Sequence, residues 1–193
     1  CFHVHAQAFK VKYGQRHIIT GGLSTMGYSP AANGVAAAAG GKEVYCITGD
    51  GSFQFNIQEL QTIVQNNLPV KIVVFNNNGY LLIRLTQTNF LHSRFMGIDK
   101  TTGVSFPDLK KISKAYGINY MRISNTKSLN SKLDLLFDHK GPIICEVICP
   151  PNQLLIPRVA SKQNEDGSMV SMPFDDMFPF LSREEYNRNI LND

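Results

Sequence analysis

Apolar and polar positions alternate along this chain in two rhythms. Val44-Tyr45-Cys46-Ile47-Thr48 is a short apolar run stopped by Gly49, and Val70 to Phe75 is a second, β-branched run. Runs of this kind predict short strands buried on both faces. Between them, Ile57, Leu60, Ile63 and Val64 recur at helical spacing, which predicts a helix from about Asn56 to Asn67, ended by Pro69. Pro30 to Ala39 reads as a small-residue helix with Ser29 as N-cap, Pro30 at its first position and Gly40-Gly41 as its stop. Pro107 to Tyr116 predicts a further helix, with Leu109, Ile112 and Ala115 inward and Gly117 at its C-terminal end. Ile118 to Ile123 predicts a strand, Ser128 to His139 a helix, and Pro142 to Ile148 a last strand. Strands alternating with helices of this length imply right-handed βαβ units. The expected fold class is α/β, an open doubly wound parallel sheet with helices on both faces.

Beyond Cys149 the rhythm breaks. Pro150, Pro151, Pro157, Pro173 and Pro179 punctuate a stretch of little periodicity before a short polar helix, Ser182 to Leu191. The expected organisation is one domain over 1–150 and an irregular C-terminal tail over 151–193. The chain opens on Cys1 inside what reads as a structured segment, so a piece of a longer polypeptide is expected.

Composition narrows the function classes. The chain has 193 residues, 43% hydrophobic and 18% charged, enough for one good core. Net charge is +4, but Lys and Arg are scattered without basic runs, which speaks against nucleic acid as a partner. No stretch approaches the ~18 consecutive apolar residues of a membrane span, and no signal peptide is visible. Cys1, Cys46, Cys145 and Cys149 form no CxxC pair and no zinc spacing. Cys145 and Cys149 fall on one strand face, and buried free thiols in a reducing cytoplasm are the expectation.

The candidate chemistry lies where two strands end. Gly49-Asp50-Gly51-Ser52 follows the first strand and Asn76-Asn77-Asn78-Gly79-Tyr80 follows the next, one helix later. In open parallel sheets, ligands sit outside the carboxyl ends of the strands, where such loops converge. Glycines flanking Asp50 let backbone approach phosphate oxygens, and the turn and helix that follow offer N–H groups. Mg²⁺ takes oxygen ligands in near-octahedral geometry, usually a few protein groups plus phosphate and water. The Asp50 carboxylate, the Asn77 side-chain oxygen and the Gly79 carbonyl would supply three positions. Either tripeptide by itself reads as a turn; their conjunction, 27 residues apart across one crossover, points to a cation and a diphosphate.

Gly49-Asp50-Gly51 followed by Asn77 resembles the thiamine-diphosphate signature of pyruvate decarboxylase, acetolactate synthase, pyruvate oxidase and benzoylformate decarboxylase. Gly21-Gly22-Leu23-Ser24-Thr25-Met26-Gly27-Tyr28-Ser29-Pro30-Ala31-Ala32 is similar to the segment entering this domain in acetolactate-synthase-type enzymes, and Gly141-Pro142-Ile143-Ile144-Cys145-Glu146-Val147 to their last strand. The likeness covers roughly residues 15 to 150. The tail is similar to that of acetolactate-synthase-like proteins found with surface-polysaccharide biosynthesis. The resemblance implies thiamine diphosphate and Mg²⁺ as cofactors, with Asp50, Asn77 and Gly79 on the metal and Gly49, Gly51 and Ser52 at the diphosphate. It implies that Met26 wedges under the cofactor and bends it, and that the Met26 amide and the Ser24 carbonyl contact its pyrimidine ring. The family usually carries Gly where Ser24 stands.

It also implies what is missing. In this family the glutamate that activates the cofactor comes from a separate pyrimidine-binding domain, of the same or a partner chain. No motif here matches that domain, so the piece is expected not to turn over by itself. Expected partners are pyruvate or another 2-oxo acid and further copies in a homodimer or homotetramer, and the resemblance leaves room for FAD in another domain. Two alternatives stand beside this reading: a naturally split subunit of a thiamine-dependent decarboxylase or oxidoreductase, and a degenerate non-catalytic domain.

Other residues carry weaker chemistry. His3 and His5 alternate on an expected strand without a third metal ligand, so an incidental pair is the favoured reading. Tyr80 either lines the site or packs in the core. Arg84, His92 and Arg94 face substrate or lie in a solvated loop, the loop being favoured. Glu59 is expected on the helix surface, and Arg158 in the tail is a candidate for the active-site mouth.

Overall fold

In the computed structural model, all residues are described except 1–4, 6, 20–22, 29–35, 37–39, 165 and 191–193. Two compact units make up the chain, Cys1–Gln153 and Leu154–Asp193. In the first unit, β1 (Val44–Gly49), β2 (Val70–Asn76), β3 (Asn119–Ile123) and β4 (Ile143–Ile148) form one parallel sheet in the order β1-β2-β4-β3. Between them run α1 (Asp50–Phe53), α2 (Glu59–Gln65), α3 (Leu81–Phe90), α4 (Leu109–Tyr116) and α5 (Leu129–Asp138).

Period-2 alternation sends successive side chains of each strand to opposite faces, and the core follows it. Val70, Ile72 and Val74 of β2 and Ile144 of β4 pack with Leu60 and Ile63 of α2 and Leu109 of α4. Val73, Ile143, Cys145, Met121 and Ile123 pack instead with Leu129, Leu133 and Leu136 of α5. Both faces are therefore covered, as expected of a doubly wound sheet. Fully burying a residue such as Leu60 or Ile63, each wholly inaccessible, contributes about 1.5–3 kcal/mol. The expected stripe of Ile57, Leu60, Ile63 and Val64 faces this core. At α4, the Asp108 carboxylate accepts the Lys111 N–H at 3.0 Å as N-cap, and Gly117 closes the helix in the left-handed region.

Several expectations need correction. Ala115 is exposed; its place on the inward stripe belongs to Ser113, whose hydroxyl donates to the Lys110 carbonyl and so enters the core satisfied. The stretch after Gly79 is a helix, α3, rather than a loop. It lacks a side-chain N-cap and a clean apolar stripe, the two signals that announce a helix. His5 sits in a helical turn, not a strand, and its ring stacks on Phe9 and meets His17 edge-on. Cys46 and Cys145 are buried thiols, but Cys149 lies one residue beyond β4 and is half-buried. The helix expected over 30–39, with its Ser29 cap, lies outside the described residues apart from Ala36, which is helical and buried.

The second unit contains an antiparallel hairpin of β5 (Ser161–Gln163) and β6 (Met169–Ser171), which weak periodicity concealed, and α6 (Arg183–Asn189) capped by Ser182. Asp176, almost fully buried, receives both arms of the Arg183 guanidinium at 2.7 and 2.8 Å. No described helix is long and apolar enough to cross a membrane.

Candidate functional site

β1 and β2 run parallel with Gly49 opposite Phe75, so the residues that follow both strands emerge at the same edge of the sheet. No loop follows β1: Gly49 is in extended conformation and α1 begins at Asp50 itself. The expected Gly-rich turn is thus a strand passing directly into a helical turn. Phe53 of that turn anchors in the core while Asp50 stays 4% exposed at the strand end.

Both Asp50 oxygens are engaged by backbone. Oδ1 accepts the Gly51 N–H at 2.8 Å, and Oδ2 accepts the Gly79 N–H at 3.1 Å. The second bond joins the two motifs that lie far apart in sequence. Burial pushes the Asp50 carboxyl above its ordinary range, with the N–H groups of Gly51, Gly79 and Asn78 only partly offsetting it. Among the described residues no Lys, Arg or His pairs with Asp50.

Asn77, half-buried, lies between the end of β2 and Asn78, which takes a left-handed φ of 61°. Asn76 folds its side chain forward so that Oδ1 accepts the Asn78 N–H at 2.9 Å, an Asx turn. The next residue must be glycine. A Cβ on Gly79 would stand 2.5 Å from the Ile98 carbonyl oxygen, which the Tyr80 N–H also approaches at 2.8 Å. Tyr80 is half-buried: its ring lies against Gly51, where a Cβ would overlap it, and meets Phe106 edge-on with centroids 5.4 Å apart. Burial first, and the Asp50 charge second, push its hydroxyl above the ordinary tyrosine range. Tyr80 therefore packs and adjoins the site at once.

The segment carrying Ser24 and Met26 is tied to the same place. The Gly27 N–H donates to Ser52 Oγ at 3.1 Å, and the Gly27 carbonyl accepts from Asn56 Nδ2 at 2.9 Å. Gly27 has φ 83° and no room for a Cβ, which would stand 2.7 Å from Phe55 Cβ. Ser24 adopts φ 48°, a conformation that favours glycine. Met26 leaves its apolar side chain 41% exposed beside this anchor.

Of the weaker candidates, Arg84 sits in α3 and ion-pairs with Asp99, with its guanidinium 5.3 Å from the Phe95 ring. Hydrogen bonds from Thr101, Arg84 and Thr102 outweigh desolvation and hold the Asp99 carboxyl at about 2. His92 and Arg94 are exposed. Glu59 opens α2 and accepts from Thr62. Arg158 stacks on Phe178 within its own unit, and His3 is outside the described residues. Residues that pattern alone did not single out include Asn56, Asn76 and Glu146. The visible signal for Glu146 was an acid inside the apolar strand Ile-Ile-Cys-Glu-Val-Ile.

Among the described residues no three His, Cys, Asp or Glu side chains converge, as a transition-metal cage would require. What the described residues show is a buried carboxylate without a cationic partner, held by the Gly51 and Gly79 N–H groups.

Residues 1–147 match the family model described as thiamine pyrophosphate enzyme, C-terminal TPP binding domain. Over 170 residues, 87% of the chain, it is 39% identical to an acetolactate synthase large subunit of Pyropia yezoensis, covering 28% of that protein. It is 35% identical over 156 residues, 80% of the chain, to an acetolactate synthase of Arthrospira platensis, covering 27% of it. It is 34% identical over 161 residues, 81% of the chain, to acetolactate synthase 2, chloroplastic, of Brassica napus, covering 25% of it. The chain thus spans about a quarter of the length of the curated relatives it matches. The four-stranded parallel sheet and the matched segment together place this chain in the family of thiamine pyrophosphate enzyme C-terminal TPP-binding domains.

Proposed function

We propose that this chain is the diphosphate-binding part of a thiamine-diphosphate- and Mg²⁺-dependent 2-oxo acid decarboxylase or carboligase resembling acetolactate synthase, a lyase or transferase. In this reading residues 1–150 form the cofactor domain and 151–193 a tail. The observation that carries it is Asp50, buried at the sheet edge, bonded to the Gly79 N–H and without a cationic partner among the described residues.

Asp50, Asn77 and the Gly79 carbonyl would hold Mg²⁺, and the backbone at Gly49 and Gly51 together with Ser52 would receive the diphosphate. Ser52 already accepts from Gly27, and a hydroxyl that accepts can still donate to a phosphate oxygen. Met26, exposed beside the Gly27 anchor, would pack under the cofactor, with the Ser24 carbonyl and the Met26 amide at its pyrimidine. Tyr80 closes the floor over Gly51. Bound thiamine diphosphate supplies a carbon nucleophile and an electron sink for decarboxylation. This chain's share of the work is to bind and orient it and to neutralise its diphosphate.

The acid that activates the pyrimidine would come from a pyrimidine-binding domain of the same or a partner chain, in a homodimer or homotetramer. A product screen with pyruvate and candidate acceptors on the intact enzyme tests the reading. Turnover should require both Mg²⁺ and thiamine diphosphate. Turnover of pyruvate by the 193-residue chain unaided, or by the intact enzyme without the cofactor, would overturn it.

A further inference from the structure

β4 runs through the interior of the sheet with Ile144 and Cys145 fully buried, yet Glu146 beside them is an acid only 6% exposed. Placing a carboxylate there is unfavourable unless its oxygens are satisfied, and an apolar residue of similar size would serve packing better. Its partners come from both neighbouring strands. Oε2 accepts from the Tyr120 hydroxyl of β3, with Arg122 Nε 3.5 Å away, and Oε1 accepts from Asn76 Nδ2 of β2 at 2.6 Å.

The last bond has a directional consequence. An ionised carboxylate only accepts, so the NH₂ group of Asn76 must face Glu146. Asn76 Oδ1 is thereby turned the other way, where it accepts the Asn78 N–H at 2.9 Å. Asn78 is held at φ 61°, and the following Gly79 N–H reaches Asp50 Oδ2 at 3.1 Å. A line of contacts runs from Tyr120 through Glu146 and Asn76 into the loop that carries Asn77 and Gly79.

We propose that Glu146 is a positioning residue for the cation-holding loop, acting through the orientation of the Asn76 amide. The proposal rests on the reading that Asp50, Asn77 and Gly79 hold Mg²⁺. Glu146 touches neither cation nor cofactor; it selects the one amide orientation that pins Asn78 and presents the loop to Asp50.

Donor and acceptor can be exchanged to test this in the intact enzyme, reading Mg²⁺–thiamine diphosphate affinity by calorimetry and unliganded stability by thermal melting. N76D sets two carboxylates face to face and should weaken affinity about 10–100-fold, the range for supporting groups behind metal ligands. The double variant N76D/E146Q restores a donor opposite an acceptor, keeps the Asn78 contact and leaves net charge unchanged. It should return affinity to within about 3-fold of wild type, and E146Q without the second change should also stay within about 3-fold, since its carbonyl still accepts from Asn76. Wild-type affinity in N76D, or no rescue in the double variant, would overturn the proposal. A purely structural role would shift melting but leave the affinity of the folded variants unchanged. If N76D does not fold, E146L replaces it, removing the acceptor for Asn76 Nδ2 while leaving Asn76 in place: affinity lowered at least about 10-fold supports the proposal and wild-type affinity overturns it. Asp50→Ala separates the two levels. If it binds as wild type, the cation reading itself fails; if it loses binding while N76D does not, only the role of Glu146 fails.

Discussion

The same parallel sheet buries a charge at each end, and the two ends treat it differently. At the amino end, Lys71 of β2 is 1% exposed and fully engaged: its ammonium lies 2.7 Å from the Glu43 carboxylate and donates to the Phe137 carbonyl at 2.7 Å and the Tyr45 hydroxyl at 3.3 Å. At the carboxyl end, Asp50 is 4% exposed, and among the described residues its carboxylate is held by backbone N–H groups. Hydrogen bonds satisfy its oxygens, but nothing in the described residues neutralises its charge. A charge with a built-in counter-ion belongs to the architecture, whereas one without a counter-ion leaves room for the cation proposed above. Buried ionisable groups are therefore informative about function through what they lack.

The largest effect that would break this contrast is at Asp50. Asp50→Ala should lower Mg²⁺-dependent thiamine diphosphate affinity by roughly 100-fold or more, as loss of a direct ligand exceeds the 10–100-fold of a supporting group. Calorimetry on the intact enzyme reads it. Gly79→Ala follows: its Cβ would press on the Ile98 carbonyl, a backbone atom that cannot swing away. Overpacking of this kind destabilises by about 1–3 kcal/mol, visible in urea unfolding, and shifting this loop should also weaken cofactor affinity.

Changes at the Lys71 end should alter stability without touching cofactor affinity. Glu43→Ala strips the buried ammonium of its carboxylate and should cost about 1–2 kcal/mol in urea unfolding, tempered by the partial exposure of Glu43. Lys71→Met removes the need for a counter-ion and should be milder. The pair also has a pH signature. Desolvation raises the Glu43 carboxyl, but hydrogen bonds from Lys71 and Tyr45 outweigh it and leave the carboxyl below its ordinary value. A lowered folded-state value means its stabilisation is present above the ordinary glutamate range and is lost as pH falls through the folded value. The stability difference between wild type and Glu43→Gln should accordingly shrink on acidification; a constant difference would contradict the pairing.

Smallest in effect are the thiols. Burial raises Cys46 to about 12 and Cys145 to about 11, so both should resist alkylation until the protein unfolds. Half-buried Cys149 should react before them, as mass spectrometry of the native protein would resolve.

The elements with a strong single period were legible in sequence: β1, β2, β4 and the stripe of α2 all lie where alternation or helical spacing puts them. The pairing of Asp50 with the Asn77–Gly79 loop was legible as well, because two neighbouring parallel strands must end at one edge, and the Gly79-to-Asp50 bond is what joins them. What escaped was long-range polar structure. Lys71 reads as one more residue of a β-branched run, and its partners Glu43, Tyr45 and Phe137 come from elsewhere in the chain. Glu146 depends on Tyr120 and Asn76, which only the strand order brings to either side of it. The helical start at Asp50 was hidden because Gly-Asp-Gly has the composition of a turn, and tertiary anchoring through Phe53 overrides that local preference.

Locating the cation is the most direct check on Asp50 as its ligand. Crystals of the intact enzyme grown with thiamine diphosphate and Mn²⁺ in place of Mg²⁺ would give an anomalous peak at the metal. One peak should lie about 2.0–2.2 Å from the Asp50 carboxylate, the Asn77 side-chain oxygen and the Gly79 carbonyl. A bound cofactor whose metal lies elsewhere, or whose diphosphate meets Asp50 with no metal between them, would contradict it.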